Sequence, residues 1–373
     1  MATTMEHPVG APQQQQEAAA AATAATSSSS SGPIIIDTQH DDMVHDSQLD
    51  YYGCKLATAS SDRTVKIYDV SGNTYAHTAT LQGHEGPVWE ITWSHPKFGV
   101  VLASCSFDGS VLIHRESPPG SWTLIHAARG LHDSSVNGVT FAPHEYGLMC
   151  AAASSDGRVS FLSHNEDDTW SVEYVNDNSL GVNAVTWAPF VPLANAGGNP
   201  DEGEQQQQQQ PRVATAGCDN RIRFWTRSSA TGSWEEETTP LGHGASHTDW
   251  VRDVAWAPPI VPGVDVVASC SEDGTVIVWT HKDGGGDADG TNGTWEPTLL
   301  NNFGEPVWRL SWSVTGSILA VSSGDSTVTL WKAGLDGTWK QVSQVEDVVG
   351  GGGSAGGGAE SAAAPAAPGG VQQ

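Results

Sequence analysis

Six aspartates at equivalent points of a repeated pattern are the most regular polar feature of this chain. They are Asp62, Asp108, Asp156, Asp219, Asp273 and Asp325. Each follows a short apolar run and precedes a second run of alternating residues, which in three copies ends on Trp. An Asp in a tight turn accepts hydrogen bonds from the backbone N–H groups of that turn. We therefore predict that all six are structural rather than catalytic.

Other candidate chemistry is sparse. His243 and His247 have the spacing of two metal ligands, but no third ligand accompanies them. The Gly-rich stretch 350–358 lacks the Lys of a phosphate-binding loop. No Cys-x-x-Cys pair, no Gly-x-Ser-x-Gly elbow and no recurring pair of inward-facing carboxylates stands outside the turns. The sequence predicts no enzyme, no metal site and no cofactor, with a channel site that motifs miss as the remaining enzymatic alternative.

The runs on either side of each turn Asp have strand character and predict a β-hairpin. In the clearest copy the turn is Asp273-Gly274, where we expect positive φ at both turn positions. Another strand-like run lies upstream, such as 88–93, and a further one downstream opens on a Trp, such as Trp122. Four strands per unit, repeated about every 50 residues, are typical of a β-propeller. There are six copies and no seventh.

We therefore predict an all-β, six-bladed β-propeller over residues 34–346, with disordered tails at 1–33 and 347–373. The tails consist of Ala, Gln, Ser, Gly and Pro with few apolar side chains, so they bury too little surface to offset the entropy of ordering. Two polar, Gly-rich insertions, 190–211 with its six consecutive Gln and 281–293, are predicted to be solvated loops. Most Trp residues are expected to pack between blades.

The charge balance restricts the partners. The net charge is −27, from 16 basic and 43 acidic residues, which argues against binding to nucleic acid and to anionic lipid. No run approaches the roughly 18 apolar residues of a membrane span, and the N-terminus lacks the pattern of a signal peptide. The five cysteines are an odd number and are expected to be small buried thiols. We expect a protein of the cytosol or nucleus.

The Gly83-His84 pair, the turn Asp and the closing Trp resemble WD repeats. This resemblance implies that a His before the inner strand hydrogen-bonds the turn Asp, as His84 with Asp108, His132 with Asp156, and His247 with Asp273. Blades four and six carry Asn178-Ser179 and Gly304-Glu305 at this place. We expect the buried hydrogen-bond network to be incomplete in those two blades.

Longer phrases, at 42–53, 84–90, 94–99 and 249–258, are similar to the Sec thirteen family. The resemblance implies a propeller subunit of the COPII outer coat, on the cytoplasmic face of the endoplasmic reticulum and its vesicles, and of the Y-shaped nuclear pore scaffold. It also implies an open ring into which a Sec thirty-one-type coat subunit or an α-solenoid nucleoporin inserts a blade in trans, within a hetero-oligomeric cage. The paralogous Seh-type propeller is an alternative that fits these phrases less well.

The residues themselves favour a ring that is open between blades six and one. The last blade has its own fourth strand, 339–345, so no N-terminal strand is needed to complete it. A ring left unsealed exposes strand edges, which proteins avoid unless a partner covers them. We expect the partner-blade edge to include Ile34, Ile35, Ile36, Val44 and Leu310.

One further set of residues follows the leading Val of each inner strand. Its members are His45, Trp89, Asn137, Asn183, Arg252 and Trp308. Propeller symmetry predicts that they surround one mouth of the central channel, and two Trp with one Arg are typical of binding hot spots. An adaptor that binds short peptide motifs at this mouth is therefore the alternative function. A rim packed by neighbouring loops is the alternative without a ligand.

Overall fold

The structure, a computed structural model, describes residues 36–178, 180–191, 209–238, 245–282, 293–334 and 338–346. The predicted tails, Ile34, Ile35, Ser179, His243 and most of the two insertions lie outside the described residues. Within them the regular structure is β-strand apart from two short 3-10 helices, Pro96–Phe98 and His144–Tyr146. None of the helices in this part of the chain is long and apolar enough to cross a membrane.

In the described part of the chain, twenty-four strands form six blades of four strands each. The inner strands of blades one to six are β1 (Val44–Leu49), β5 (Val88–Trp93), β9 (Val136–Phe141), β13 (Val182–Trp187), β17 (Val251–Trp256) and β21 (Val307–Trp312). The second strands are β2 (Lys55–Ser60), β6 (Val100–Ser106), β10 (Met149–Ser154), β14 (Arg212–Gly217), β18 (Val264–Ser271) and β22 (Ile318–Ser323). The third strands are β3 (Val65–Ser71), β7 (Val111–Glu116), β11 (Arg158–His164), β15 (Ile222–Arg227), β19 (Thr275–Lys282) and β23 (Thr327–Ala333). The outer strands are β4 (Thr74–Leu81), β8 (Trp122–Ala128), β12 (Trp170–Asn176), β16 (Trp234–Glu236), β20 (Glu296–Asn302) and β24 (Trp339–Glu346).

Each sheet consists of four consecutive antiparallel strands, which confirms the predicted six-bladed propeller. The inner strand of blade two has the bounds that the run 88–93 predicts. The outer strand of the last blade is β24, paired with β23 in an unbroken sequence order. In the part of the chain that the structure describes, no N-terminal strand joins this last sheet.

The blades pack through five apolar clusters, each shared by two consecutive blades. Blade one packs Val65 and Ile67 against Val88 of blade two, and all three are buried. The second strands carry small residues, such as Ala103 and Cys105, that are fully buried and let neighbouring sheets approach closely. Over the described ranges, five clusters join six blades, and none joins blade six to blade one.

The Asp turns differ from the prediction in their geometry. In blade two the N–H of Gly109 donates to the carbonyl of Ser106 at 3.2 Å, and the N–H of Ser106 donates to the carbonyl of Ser110 at 3.3 Å. Gly109 has a φ of 77°, whereas Asp108 is not among the residues with positive φ. This is a three-residue loop, a type I turn followed by one left-handed residue. The expectation of positive φ at both Asp and Gly is wrong because the loop is one residue longer than a two-residue turn.

Every inner strand contains a β-bulge at its second residue. In β5 the ladder pairs Val88 with Ser106 and Glu90 with Cys105, so Trp89 is skipped. The same skip occurs in the other five inner strands. A bulge turns its extra side chain out of the regular alternation. The skipped residues are the six that the sequence predicts at the mouth, and the third residues of four of these strands line the channel cavity.

Candidate functional site: the seam, the channel and the mouth

Blade six leaves an apolar wall uncovered on the side away from blade five. Val328 and Val345 are cross-strand partners, and they are 37% and 51% exposed. The equivalent pair in blade one, Val65 and Leu81, is 2% and 7% exposed because blade two covers it. Leu330, on the same face of β23, is only partly buried. We call Val328, Leu330 and Val345 the seam wall, and the space between blades six and one the seam.

Blade one shows the matching exposure on its side of the seam. The leading Val of an inner strand packs in the core shared with the preceding blade, and in blades two to six it is 0% exposed. Val44, the leading Val of blade one, is 42% exposed. Leu49, at the other end of the same strand, is also exposed. The described part of the ring is therefore open between blades six and one.

The predicted edge residues are distributed unevenly. Val44 lies at the seam, and Ile36 is partly buried. Leu310 lies in the core between blades five and six, where its N–H donates to Oδ2 of Asp253 at 2.8 Å. The seam wall, which is the larger uncovered surface, is not among the residues predicted from the sequence. The role of the predicted residues in partner binding stays a prediction.

Five of the six turn aspartates hold their hairpins by the same bond. One carboxylate oxygen accepts the backbone N–H two residues further on, at 2.8–3.1 Å, in Asp62, Asp108, Asp156, Asp273 and Asp325. In blades one, two, three and five the other oxygen accepts an N–H from the segment that leads into the inner strand. The Asp thus ties the hairpin to the start of its own blade.

A buried histidine completes this arrangement in four blades. His132 places Nδ1 3.0 Å from Asp156 and Nε2 2.9 Å from Ser160. The expected pairs of His84 with Asp108 and His247 with Asp273 are also brought together, at 3.3 and 3.5 Å. Blade one has an equivalent that was not predicted from the sequence, the pair of His40 with Asp62 at 2.7 Å.

Hydrogen bonding decides the ionisation of these carboxyl groups. Burial raises the pKa of Asp62, but hydrogen bonds from Thr64 and His40 outweigh it and lower the pKa to about 2. In Asp156 burial is likewise outweighed, here by hydrogen bonds from Arg158 and His132, and the pKa falls to about 2. Both aspartates are therefore charged at neutral pH, as a structural hydrogen-bond acceptor requires.

Blade four replaces the histidine by a carboxylate, so the expected incomplete network is wrong for this blade. The side chain of Asp177 is fully buried and accepts hydrogen bonds from Thr215 at 2.5 Å and Trp225 at 3.1 Å. Arg223 donates to Asp177 at 3.1 Å and also pairs with the turn residue Asp219. In blade four the guanidinium of Arg223 therefore binds the turn Asp, as the imidazole of a histidine does in blades one, two, three and five. In blade six the turn Asp325 bonds to Ser323 and Thr327 alone among the described side chains.

Four ionisable side chains from the third positions of inner strands meet in the channel. These are Asp46, Glu90, Asp253 and Arg309, which we call the channel cluster, and they line a cavity of about 530 Å³. Nη1 of Arg309 lies 2.6 Å from Oε1 of Glu90, so this ion pair links blade six to blade two. The expectation that no pair of inward-facing carboxylates recurs outside the turns is wrong. Alternation alone does not reveal these residues, because the bulge shifts it by one.

Each carboxylate of the channel cluster also reaches the next blade. It accepts the backbone N–H of the fourth residue of the following inner strand: Ile91 to Asp46 at 3.0 Å, Val139 to Glu90 at 2.9 Å, and Leu310 to Asp253 at 2.8 Å. Blades three and four have Gly138 and Ala184 at this position and lack the link. The channel cluster thus joins consecutive blades from the inside of the ring.

The pKa values in the channel cluster follow from burial and from its unequal charges. Burial raises the pKa of Asp253 to about 6, and the nearby Arg309 opposes this rise. Burial, with a smaller contribution from the charge of Glu90, also raises the pKa of Asp46 to about 6. The charge of Glu90 raises the pKa of Arg309 above its already high value. One cation therefore offsets three carboxylates, two of which protonate near pH 6.

The six bulge residues lie at equivalent positions, and each lies near the residue before its own turn Asp. That they surround one mouth of the channel stays a prediction. In two pairs the partner is a serine hydroxyl: Nε2 of His45 lies 2.6 Å from Oγ of Ser61, and Nδ2 of Asn137 lies 2.8 Å from Oγ of Ser155. Oδ1 of Asn183 accepts from Sγ of Cys218 at 3.4 Å, and Arg252 pairs with Glu272. The ring centres of Trp89 and Phe107 are 6.5 Å apart, and the indole of Trp308 lies beside Gly324. Whether the ring binds a peptide stays a prediction.

The histidines and cysteines of the described residues have structural surroundings. These contain no group of three or more His, Cys, Asp and Glu side chains arranged to hold a metal ion. His247 is buried, and its two ring nitrogens lie 3.0 and 2.7 Å from the hydroxyls of Thr275 and Ser269. All five cysteines are free, and four are buried as expected. Cys54 is exposed, because it lies in the loop between β1 and β2 rather than in a strand.

Comparison with known proteins supports the same fold. The family described as "WD domain, G-beta repeat" matches residues 32–69, 76–115, 238–280 and 297–332. Blades three and four, which fall outside these ranges, include the blade with the Asp177–Arg223 arrangement. The chain is 42% identical to "Protein transport protein SEC13" of Mycosarcoma maydis, over 84% of this chain and 95% of that protein.

Further relatives agree in name and coverage. "Protein transport protein sec13" of Emericella nidulans is 44% identical over 84% of this chain and 98% of its own length. "Protein SEC13 homolog" of Drosophila melanogaster is 44% identical over 83% and 82%. The six-bladed fold, the WD repeats and this near-complete coverage agree with the phrases that first pointed to the family. The chain therefore belongs to the Sec thirteen family of WD-repeat propellers.

Proposed function

We propose that this chain is a structural subunit of a protein-transport coat, and that a partner chain completes its ring by inserting a blade at the seam. The relatives named protein transport proteins support the transport role. The candidate partners are a Sec thirty-one-type subunit of the COPII outer coat and an α-solenoid nucleoporin of the Y-shaped pore complex. The site of action is then the cytoplasmic face of the endoplasmic reticulum and its vesicles, and the nuclear pore.

The seam wall is the observation that carries this proposal. Val328 and Val345 occupy positions that are buried in the closed interfaces, yet they are 37% and 51% exposed. Such a contiguous apolar surface is unfavourable in water and typical of a protein-binding site. A strand or sheet of matching length buries this surface and provides blade one with the neighbour that its leading residue Val44 lacks.

Charged substitutions at the seam wall test the proposal. Val328→Glu leaves the blade cores intact because the side chain is already 37% exposed, and it places a charge against the incoming blade. Val172→Glu is the matched control, because Val172 is also 37% exposed but lies on the outer strand β12 of blade three. We expect pull-down of a Sec thirty-one-type or nucleoporin partner to be lost in Val328→Glu and kept in Val172→Glu.

Thermal unfolding provides the second measurement. A blade segment of the partner that binds only the folded chain raises its Tm by mass action, by an amount that increases with segment concentration. Equal pull-down by the two variants, or a Tm that the segment leaves unchanged at saturating concentration, contradicts insertion at the seam. Parallel pull-downs with the coat partner and the pore partner determine which scaffold the chain joins.

A further inference from the structure

Two exposed tryptophans and one arginine form a distinct surface at the mouth, on blades five and six. Trp250 and Trp308 are each 45% exposed. The guanidinium carbon of Arg252 lies 5.2 Å from the ring centre of both, so it is close to two indole rings at once. We call these three residues the mouth shelf. Neither the packing of the blades nor the seam accounts for them.

The backbone and one ion pair hold the mouth shelf in place. Arg252 and Trp308 are the bulge residues of β17 and β21, and Trp250 directly precedes β17. Arg252 is paired with Glu272, the residue before the turn Asp of blade five. Trp and Arg side chains that are fixed before binding lose little conformational entropy when a ligand arrives, and they are the residue types enriched in binding hot spots.

The surroundings of the mouth shelf are acidic. Glu272 neutralises Arg252. Asp249 directly precedes Trp250 in the chain, and its charge acts on Arg252. Glu305 lies three residues before Trp308, and both Asp249 and Glu305 are exposed and form no ion pair among the described residues. The chain as a whole carries a net charge of −27. An indole face with nearby carboxylates attracts a cation that also has apolar groups, through cation–π contact and charge complementarity. The same field repels nucleic acid and acidic peptides.

We infer that the mouth shelf binds a short protein segment in which Lys or Arg stands next to aromatic or aliphatic side chains. The apolar side chains pack on the exposed parts of Trp250 and Trp308, and the cationic groups lie towards Asp249 and Glu305. This site is separate from the seam wall, and it does not depend on the insertion of a partner blade.

Two degenerate pools of short labelled peptides test the site on the full chain. In one pool Arg or Lys alternates with Leu, Phe or Trp, and in the other Glu or Asp replaces the basic residues. We expect fluorescence polarisation to detect binding of the basic pool alone. Trp250→Ala combined with Trp308→Ala should weaken it at least tenfold, and Asp249→Asn combined with Glu305→Gln should reduce both the affinity and its dependence on salt.

Matched controls separate a site from a general charge effect. Leu180→Ala combined with Val314→Ala removes apolar side chains of even greater exposure elsewhere. Asp133→Asn combined with Glu85→Gln removes two exposed carboxylates from blades two and three. Both controls should bind the basic pool as the unmodified chain does. The inference is overturned if the basic pool does not bind, if the acidic pool binds equally well, or if the controls weaken binding as much as the shelf variants.

The variant Val328→Glu distinguishes a failure of this inference from a failure of the proposed function. It should leave peptide binding unchanged, while the Trp250 and Trp308 double variant should keep the partner that inserts at the seam. Loss of peptide binding in Val328→Glu contradicts a separate shelf site.

Discussion

Replacement of Arg309 by Met tests whether the channel cluster stabilises the open ring. Met keeps most of the apolar length of the side chain and removes its charge. The variant breaks the 2.6 Å ion pair with Glu90, the contact by which blade six reaches blade two, and leaves three carboxylates without their cation. We expect the folded state to lose stability and the distance between blades six and one to become more variable.

The exposure of the two side chains sets the size of the effect. Removing one partner of a buried ion pair costs about 3–5 kcal/mol, and a pair on the surface contributes about 0–1 kcal/mol. The Arg309 side chain is 38% exposed to the channel and that of Glu90 is 18% exposed, so this pair lies between the two cases. We expect Arg309→Met to lower the free energy of unfolding by about 2 kcal/mol at neutral pH.

The loss should depend on pH in a defined direction. The pKa values of Asp46 and Asp253 are raised to about 6, so between about pH 4 and pH 6 the folded chain binds protons that the unfolded chain does not. The contribution of these groups to stability therefore falls as the pH rises. Arg309 lowers both pKa values, and its removal extends this window to higher pH. The variant should lose more stability at pH 8 than at pH 5.5.

Urea unfolding followed by tryptophan fluorescence measures this loss at each pH. Arg221→Met, at an exposed position in the turn of blade four, is the matched control and should change stability by a few tenths of a kcal/mol at most. Arg309→Lys keeps the charge and should retain part of the stability. A loss in Arg309→Met no larger than in the control, or one that grows towards low pH, refutes this account of the channel cluster.

Three further outcomes follow from the turn networks. Asp273→Ala should lower the free energy of unfolding by about 1–3 kcal/mol, because it leaves the N–H groups of Thr248 and Thr275 unpaired. Asp325→Ala should lower it by less, because blade six lacks the histidine. Equal urea midpoints for the two variants would contradict this difference. Arg223→Ala should cost about 3–5 kcal/mol by leaving the buried Asp177 without its ion-pair partner, with partial rescue in Arg223→Lys. Full stability of the Ala variant would contradict a stabilising role of this ion pair. Asp62 and Asp156, with pKa values of about 2, should provide stability that is present above about pH 4 and lost as the pH falls towards 2, as acid unfolding by circular dichroism would measure.

The repeat made most of the fold predictable, because each blade combines the same local signals. Runs such as Val88–Trp93 are rich in β-branched and aromatic residues, and every turn has an Asp at the same place, so the number of blades and the bounds of β5 follow from the sequence. Local rules sufficed for these features because strand alternation and turn chemistry act over a few residues.

The features that the sequence did not reveal depend on neighbours that are distant in the chain. Val328 has the same alternating context as Val65, and only the missing neighbour of blade six makes one exposed and the other buried. Asp46 and Glu90 occupy polar positions whose direction depends on a bulge that has no residue signature of its own. Asp177 precedes the place where a histidine is expected, and its role depends on Arg223, which lies 46 residues further on.

The bulge in each inner strand has a consequence for how this protein tolerates change. In a regular strand, neighbouring side chains lie on opposite faces, so a one-residue deletion exchanges the two faces. Here the extra residue has no partner in the ladder, and deletion of Asn137 alone should restore regular pairing in β9 and keep Gly138 on the channel side. Substitution or deletion of a bulge residue should therefore leave the side chains that face the channel in place. Recognition at the mouth can diversify while the interior of the ring stays constant.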